Sequence, residues 1–228
     1  MTGPAEPAVS RGVLFDVDGT LVDTTYLHTV CWSEALRQSG HVLPMAAVHR
    51  SVGMGSGQLL DRLLGPDRDH SNDSMAIAAH LALYKQFWTR LNALPGASDL
   101  LRACSVRGLR VVLASSASEE ELAALRAVID AADTIDVATS SSDADAAKPA
   151  PDLLHAALEQ SGLRAADAVF VGDSGWDGEA ARRADVAFVG VSCGGTSSAE
   201  LAEAGAVEVW PDPADLLAHL DQSIIGAG

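Results

Sequence analysis

Positive charge is scarce in this chain of 228 residues. It has 15 Lys and Arg residues against 31 Asp and Glu residues, a formal net charge of −16, and only two lysines, Lys85 and Lys148. Proteins that bind nucleic acid or anionic membranes need basic patches, so the composition argues against both partners. The overall field would also repel a phosphorylated ligand, so a site for one would need locally placed cations.

Cysteines, long apolar runs and targeting signals are also few or lacking. The three cysteines, Cys31, Cys104 and Cys193, lie far apart without a CxxC pair, which argues against a disulfide framework or structural zinc. No run approaches the ~18 to 20 apolar residues of a membrane helix. Residues 1–11 lack the basic and apolar regions of a signal peptide, so we expect this segment to be a loose tail and the protein to be cytoplasmic. We expect a monomer by default.

Short apolar runs alternate with helical patterns through most of the chain. The first run, residues 12–15, leads directly into acidic residues and glycine, as expected for a buried strand that enters a loop. Such alternation predicts an α/β fold, with a Rossmann-like parallel sheet covered by helices on both faces. Further strands are predicted at residues 110–114, 135–138, 168–171, 187–191 and 206–210.

The segment between the first two predicted strands differs, because it contains only helical patterns. These cover residues 26–39, 58–64 and 75–91, and the pair Pro95-Gly96 ends the block. We therefore predict an α/β core formed by residues 12–22 and 95–228, with an inserted α-helical cap domain over residues 23–94.

Polar residues cluster where the predicted strands end or helices begin, at the edge where α/β sheets bind ligands. Any one group also fits a solvated turn, a helix cap or a surface lysine. Their order along successive strand ends favours one shared site. The candidates are Asp16, Asp18, Gly19 and Thr20 after the first strand, Ser115 and Ser116 after the second, Lys148 before a helix, and Asp173 and Asp177 after the fourth strand.

This set of side chains suits phosphoryl transfer. Clustered carboxylates are costly unless a hard cation neutralises them, and Asp16, Asp173 and Asp177 offer the oxygen ligands that Mg²⁺ prefers. Lys148 would balance the acids and hold a phosphoryl oxygen, while Ser115 would donate to another. We therefore predict Mg²⁺ as the cofactor and a small phosphorylated metabolite as the ligand.

The same residues resemble the four signature motifs of the haloacid dehalogenase-like superfamily. The run from Asp16 to Thr20 is similar to its DxDGT motif, and Ser115, Lys148 and the run from Gly172 to Asp177 resemble the other three. The likeness extends from about Val13 to Trp210, nearly the whole chain.

The resemblance implies a role for each motif residue. Asp16 would be the nucleophile that forms an aspartyl-phosphate, and Asp18 the general acid and then the general base. Asp18 would also ligate the metal through its backbone carbonyl. Asp173 would bind Mg²⁺ through its carboxylate, and Asp177 would ligate the metal or hold its ligand shell.

The helical insert resembles the cap of the phosphoglycolate phosphatase and β-phosphoglucomutase group, through Tyr26, His28, Trp32 and the Gly-rich loop that begins at Arg50. Plain packing within the cap is the alternative for His28 and Trp32. Asp23 is expected to cap the first cap helix or to orient the hinge. The predicted substrate-binding residues are Gly19, Thr20, His28, Arg50 and Ser116.

Together these likenesses imply a phosphatase acting on a sugar phosphate, phosphoglycolate or a similar small monoester. A mutase of the β-phosphoglucomutase type is the alternative, although Lys85 lies too near the Pro95 hinge to match the lysine that such caps use for a second phosphate. A receiver-like signalling module is shorter and lacks a cap. A non-catalytic relative is disfavoured because every motif position is filled, and a dehalogenase is disfavoured because Asp18 is present.

Overall fold

The computed structural model describes residues 11–227 and contains one sheet of six strands. These are β1 (Gly12–Phe15), β2 (Arg110–Ala114), β3 (Val137–Thr139), β4 (Ala168–Gly172), β5 (Ala187–Val191) and β6 (Ala206–Trp210). Their order across the sheet is β3-β2-β1-β4-β5-β6, and every neighbouring pair is parallel. The carboxyl ends of all six strands therefore lie at one edge.

Two apolar layers hold the sheet between helices. Alternate residues of a strand face opposite sides, and in β1 the side chains of Val13 and Phe15 join one buried cluster while Leu14 joins the other. Six helices, one before β2 and one after each of the strands β2 to β6, cover these faces. They are α5 (Ala97–Val106), α6 (Glu119–Ile129), α7 (Asp152–Ser161), α8 (Gly175–Arg183), α9 (Ser198–Glu203) and α10 (Pro213–Ala218).

Four α-helices lie in residues 23–94, the segment that we propose as the cap. Trp32, Leu36, Val48, Leu59 and Leu60 form its buried centre. Two antiparallel connections join it to the core, where the Asp23 N–H donates to the Asn92 carbonyl (3.0 Å) and the Leu94 N–H donates to the Leu21 carbonyl (2.8 Å). The four helices are α1 (Thr25–Gln38), α2 (Met45–His49), α3 (Ser56–Leu64) and α4 (Asp73–Lys85).

The structure confirms the predicted fold class and corrects several local predictions. The third strand begins at Val137, because the Asp136 carboxylate accepts a hydrogen bond from the Val111 N–H (2.8 Å). Helix α2 was missed because five residues are too few for a clear period. Helix α4 ends at Lys85, short of the predicted residue 91, and a separate 3₁₀ turn follows.

The two ends of the cap bear on two further predictions. The first cap helix starts after Thr24, so Asp23 does not cap it, although its backbone belongs to the hinge.

Most of the predicted N-terminal tail lies outside the described residues, and Arg11 donates from its guanidinium to the Ile224 carbonyl (3.1 Å). None of the helices in residues 11–227 has the length and apolar character needed to cross a bilayer.

Candidate active site

The sheet topology brings the two acidic motifs together. Asp16 follows β1 and Asp173 follows β4, and these strands are hydrogen-bonded neighbours at the centre of the sheet. The Asp16 N–H continues the ladder by donating to the Val171 carbonyl (2.9 Å). Distant parts of the chain thus place both carboxylates at the same edge, as the sequence pattern predicts.

Lys148 is the cation of this cluster. Its side chain is 1% exposed, and its Nζ lies 2.5 Å from Asp16 Oδ1 and 2.8 Å from Asp177 Oδ1. A buried ammonium is stable only where anions and hydrogen bonds replace its hydration. Burial lowers the pKa of Lys148, but the charges of Asp16 and Asp177 outweigh it and hold the pKa above its ordinary value, so the side chain stays charged.

Asp16, Asp173 and Asp177 place carboxylate oxygens within 4.8 Å of one another. Burial, with the charge of Asp177, raises the pKa of Asp16 to about 7, despite the opposing effect of Lys148. Burial and the charges of Asp177 and Asp16 raise the pKa of Asp173 well above its usual range. One lysine therefore does not compensate three buried carboxylates, and a hard divalent cation would complete the balance.

Two glycines keep the Asp173 carboxylate accessible. Gly19 has φ +81°, and a Cβ there would lie 2.5 Å from Asp173 Oδ2, while a Cβ on Gly194 would overlap the same oxygen. Any larger residue would fill the space in front of this carboxylate. The oxygen donors and this space fit a small cation such as Mg²⁺.

Asp177 and Thr20 hold the cluster in place. One Asp177 oxygen accepts from the Ser174 N–H (3.0 Å) and hydroxyl (2.6 Å) at the start of α8, which leaves the other oxygen for Lys148. The buried Thr20 hydroxyl lies 3.4 Å from Asp16 Oδ2 and 3.3 Å from Asp173 Oδ1. The Thr20 hydroxyl thus faces two carboxylates of the cluster, and its role in substrate binding stays a prediction.

The Asp18 side chain faces away from these three carboxylates and towards the cap. Its Oδ1 accepts from the Thr24 hydroxyl (2.7 Å) and lies 3.3 Å from His28 Nε2. Burial opposes ionisation, but the hydrogen bonds from His28 and Thr24 and the charge of His28 outweigh it, so the pKa of Asp18 lies below its ordinary value. The Asp18 side chain therefore belongs to a second group, with His28 and Glu121, and not to the group of three carboxylates.

His28 connects Asp18 to a group of polar cap and core residues. Its Nε2 lies 3.6 Å from Glu121 Oε1 on α6, and its Nδ1 lies 3.1 Å from His80 Nε2 on α4. Burial lowers the pKa of His28, but the hydrogen bond to Asp18 and the charges of Asp18 and Glu121 raise it by more, so the pKa lies above its ordinary value. Burial, with the charge of His28, lowers the pKa of His80 to about 2, and burial, with the charge of Asp18, raises that of Glu121 to about 7.

A cavity of about 300 Å³ joins the carboxylates to the cap. Asp16, Asp18, Lys148, Ser116 and His28 all line it, so the structure brings these predicted site residues to one space. The Ser115 side chain is fully buried beside it, and its Oγ accepts from the Ala117 N–H (3.0 Å), which leaves the hydroxyl hydrogen free to donate. Ser115 is not the cap of α6, since Ser118 has that position.

Arg50 does not reach this cavity. Its guanidinium donates to Glu200 Oε1 (3.0 Å), and the residue lines a second cavity of about 440 Å³, which Asp173 also lines. In this conformation Arg50 therefore pairs with α9, and its role in substrate binding stays a prediction. The pairing could not be predicted from a local pattern, because Glu200 lies 150 positions further along the chain.

Several residues of the site were not predicted. Glu121 was missed because acids are common in the first turn of any helix, and three occupy that turn of α6. His80 and Thr24 stand in cap segments without a motif. Gly194 matters only because it lies against Asp173. Its position just after the predicted strand at residues 187–191 was the one sequence feature that could have indicated it.

The fold and site together define an α/β protein with an acidic cluster at the carboxyl edge of a parallel sheet and an inserted helical segment, and comparison with known proteins gives its family. A model of the haloacid dehalogenase-like hydrolases matches residues 11–185. The phosphoglycolate phosphatase of Rhodospirillum rubrum is 33% identical over 215 residues, covering 90% of this chain and 89% of the relative. This chain therefore belongs to the haloacid dehalogenase-like hydrolases and is an enzyme of that family.

Solved structures agree with this assignment. A hydrolase from Pseudomonas syringae superposes with a TM-score of 0.88 at 32% identity, covering 93% of this chain and 99% of that one. A β-phosphoglucomutase from Clostridium difficile superposes with a TM-score of 0.80 at 18% identity, covering 94% of this chain and 96% of that one. At that identity the second likeness concerns the fold alone.

Proposed function

We propose that this protein is a Mg²⁺-dependent phosphatase that hydrolyses a small phosphorylated metabolite through an aspartyl-phosphate on Asp16. One observation carries the proposal. The Asp16 carboxylate is held by Lys148 (2.5 Å), while the Asp18 carboxylate lines the same cavity from the other side. A phosphoryl group between them would have a nucleophile on one face and a proton donor near its leaving oxygen.

In the first step, an Asp16 oxygen forms a bond to phosphorus as the bond from phosphorus to the leaving oxygen breaks. The proton of Asp18 goes to that leaving oxygen. The pKa of His28 is raised and that of Asp18 is lowered, so a shared proton rests mainly on His28 Nε2. Asp18 would draw on this proton as the leaving oxygen becomes basic.

In the second step, Asp18 accepts a proton from water while the water oxygen attacks the phosphorus and Asp16 leaves as a carboxylate. The Lys148 ammonium would compensate charge on Asp16 in both steps, and the Ser115 hydroxyl would donate to a phosphoryl oxygen. Asp16, Asp173 and the Asp18 carbonyl would hold Mg²⁺, with Asp177 beside them. The bound ion would supply positive charge that stabilises the phosphoryl oxygens.

The family relatives support a small monoester as substrate, since the R. rubrum relative is a phosphoglycolate phosphatase. The mutase alternative is less well supported. A mutase would use a cap lysine to bind a second phosphate, and Lys85 is the candidate. It is exposed and pairs with Glu120 (2.6 Å), outside the cavity that holds Asp16. We further propose that the enzyme acts in the cytoplasm as a monomer.

The test is release of inorganic phosphate from p-nitrophenyl phosphate with and without Mg²⁺. We expect release that requires the ion and is lost in Asp16→Asn. A folded protein that binds Mg²⁺ but releases no phosphate from this ester or from a panel of phosphorylated metabolites would refute the proposal. Conversion of a hexose phosphate to its isomer without phosphate loss, followed by NMR, would instead favour the mutase.

A further inference from the structure

The cavity of about 300 Å³ has two ends of different character. The core end carries the charged residues Asp16 and Lys148. The cap end, where the alcohol part of a phosphate ester would lie, is lined by the apolar and aromatic side chains of Trp32, Met54, Leu59 and Leu81. Hydroxyl groups of Ser56 from the cap and of Ser118 and Ser141 from the core complete the lining.

The lining offers no free cation at the cap end. Its basic residues, among those that the structure describes, are Lys148, His28 and His80. Lys148 is paired with Asp16 and Asp177, and His28 faces Asp18 and Glu121. His80 Nε2 accepts from His28 Nδ1 (3.1 Å) when both His28 nitrogens are protonated, and an accepting imidazole is uncharged.

Glu121 adds a carboxylate to the same end, and because burial raises its pKa to about 7, this group is negatively charged above that pH. The residue is 5% exposed, lines the cavity and lies with Asp18 and His28 in a group whose ligand atoms are within 4.8 Å of one another. A carboxylate or second phosphate on the alcohol would therefore meet Asp18 and Glu121, and the nearest cation, His28, already faces both of them. Burying an anion beside like charges is strongly unfavourable.

The nearby cations lie elsewhere. Arg50, Arg62 and Arg183 line the other cavity, of about 440 Å³, where Arg50 pairs with Glu200 and Arg183 pairs with Glu179 (2.7 Å). Lys85 pairs with Glu120 outside the active-site cavity. Hydroxyl groups on a substrate have better partners, because Ser116 Oγ is buried without a hydrogen-bond partner and also belongs to the lining.

We propose that the site selects phosphate monoesters of uncharged, hydroxylated alcohols, and that Glu121 is the specificity-determining residue that excludes alcohols bearing a carboxylate or a second phosphate. The inference rests on the proposed phosphatase function and narrows it. It separates this enzyme from the R. rubrum relative, whose named substrate carries a carboxylate.

Two esters of nearly equal size provide the test. 2-Phosphoglycolate and 2-hydroxyethyl phosphate differ in having a carboxylate or a hydroxymethyl group at the same place. We expect kcat/KM to be at least ~10-fold higher for 2-hydroxyethyl phosphate, since a single unpaired charge in a partly buried site costs that much or more. Equal or better turnover of 2-phosphoglycolate would overturn the inference.

Binding measurements separate this inference from the proposed function. Titration calorimetry of the Asp16→Asn protein with each ester and Mg²⁺ measures selectivity without turnover. Absent turnover of every ester by the wild type would refute the phosphatase, whereas a Kd for 2-phosphoglycolate equal to or lower than that for 2-hydroxyethyl phosphate would refute the selectivity.

Glu121→Gln tests the residue itself. Removing its charge should raise the kcat/KM ratio of 2-phosphoglycolate to 2-hydroxyethyl phosphate by ~5-fold or more. A purely structural role would lower turnover of both esters alike and leave the ratio unchanged. Glu119→Gln is the matched control, because Glu119 lies in the same helical turn but not in the cavity lining. Its carboxylate accepts a hydrogen bond from the Ser142 hydroxyl (3.2 Å). An unchanged ratio in Glu121→Gln, or an equal change in both variants, would overturn the assignment.

Discussion

The core and cap ends of the active-site cavity are built by different means. At the core end, Asp16, Lys148 and Asp177 form a buried charged network fixed by strand ends and a helix start. At the cap end, His28, His80 and Glu121 meet through side chains from two cap helices and one core helix. The proposed chemistry therefore depends on residues fixed by the sheet, and the proposed substrate choice depends on packing between cap and core.

The largest effect should come from the nucleophile at the core end. Asp16→Asn should lower kcat by ~10³-fold or more, because removing the attacking group of a covalent mechanism leaves only binding and charge stabilisation. Asp99→Asn is the control, since its side chain is 72% exposed. Steady-state hydrolysis of p-nitrophenyl phosphate checks both, and appreciable activity in folded Asp16→Asn would assign the attack to another group.

The two lysines provide a second, matched comparison. Lys148→Met removes the buried cation from beside Asp16 and Asp177, and should destabilise the fold by ~3–5 kcal/mol as well as abolish most activity. Lys85→Met breaks an exposed pair with Glu120 and should change stability by ~1 kcal/mol or less. Urea unfolding of both variants measures the difference, and similar losses of stability would contradict the importance given to the buried network.

Metal binding should depend on open space beside Asp173. Mg²⁺ at ~100 times its Kd should stabilise the wild type by ~2.7 kcal/mol, a rise in Tm of ~5–10 °C for a chain of this size. Gly194→Ala should weaken Mg²⁺ binding by ~10-fold or more, because the added Cβ overlaps Asp173 Oδ2. Gly57→Ala is the control, as a Cβ there meets open space. A normal Mg²⁺-dependent Tm shift in Gly194→Ala would disprove this geometry.

The smallest effect concerns the hinge between the two ends. Thr24→Val removes the hydroxyl that donates to Asp18 (2.7 Å) and should lower kcat by ~3–10-fold, the net worth of one typical hydrogen bond. Thr24→Ser keeps the donor and should restore most of kcat. Equal losses in both variants would show that shape, rather than the hydrogen bond, is what Thr24 contributes.

The core end could be predicted from the sequence because it depends on topology. Once alternating strands and helices indicated a parallel sheet, Asp16 and Asp173 had to follow strands at one edge, and β4 does lie beside β1. The cap end could not be predicted in the same way. Arg50 pairs with Glu200 and Glu121 approaches His28 only after cap and core have packed, and no local period or motif encodes such contacts.

Identification of the phosphorylated residue tests the central claim most directly. Asp18→Asn should slow hydrolysis of the intermediate more than its formation from an ester with a good leaving group, so the phosphoenzyme should accumulate. Acid quenching after mixing with p-nitrophenyl phosphate and Mg²⁺, followed by peptide mass spectrometry, should place one phosphoryl group on Asp16. Phosphate release without any phosphorylated peptide, or a phosphoryl group on a different residue, would contradict the account.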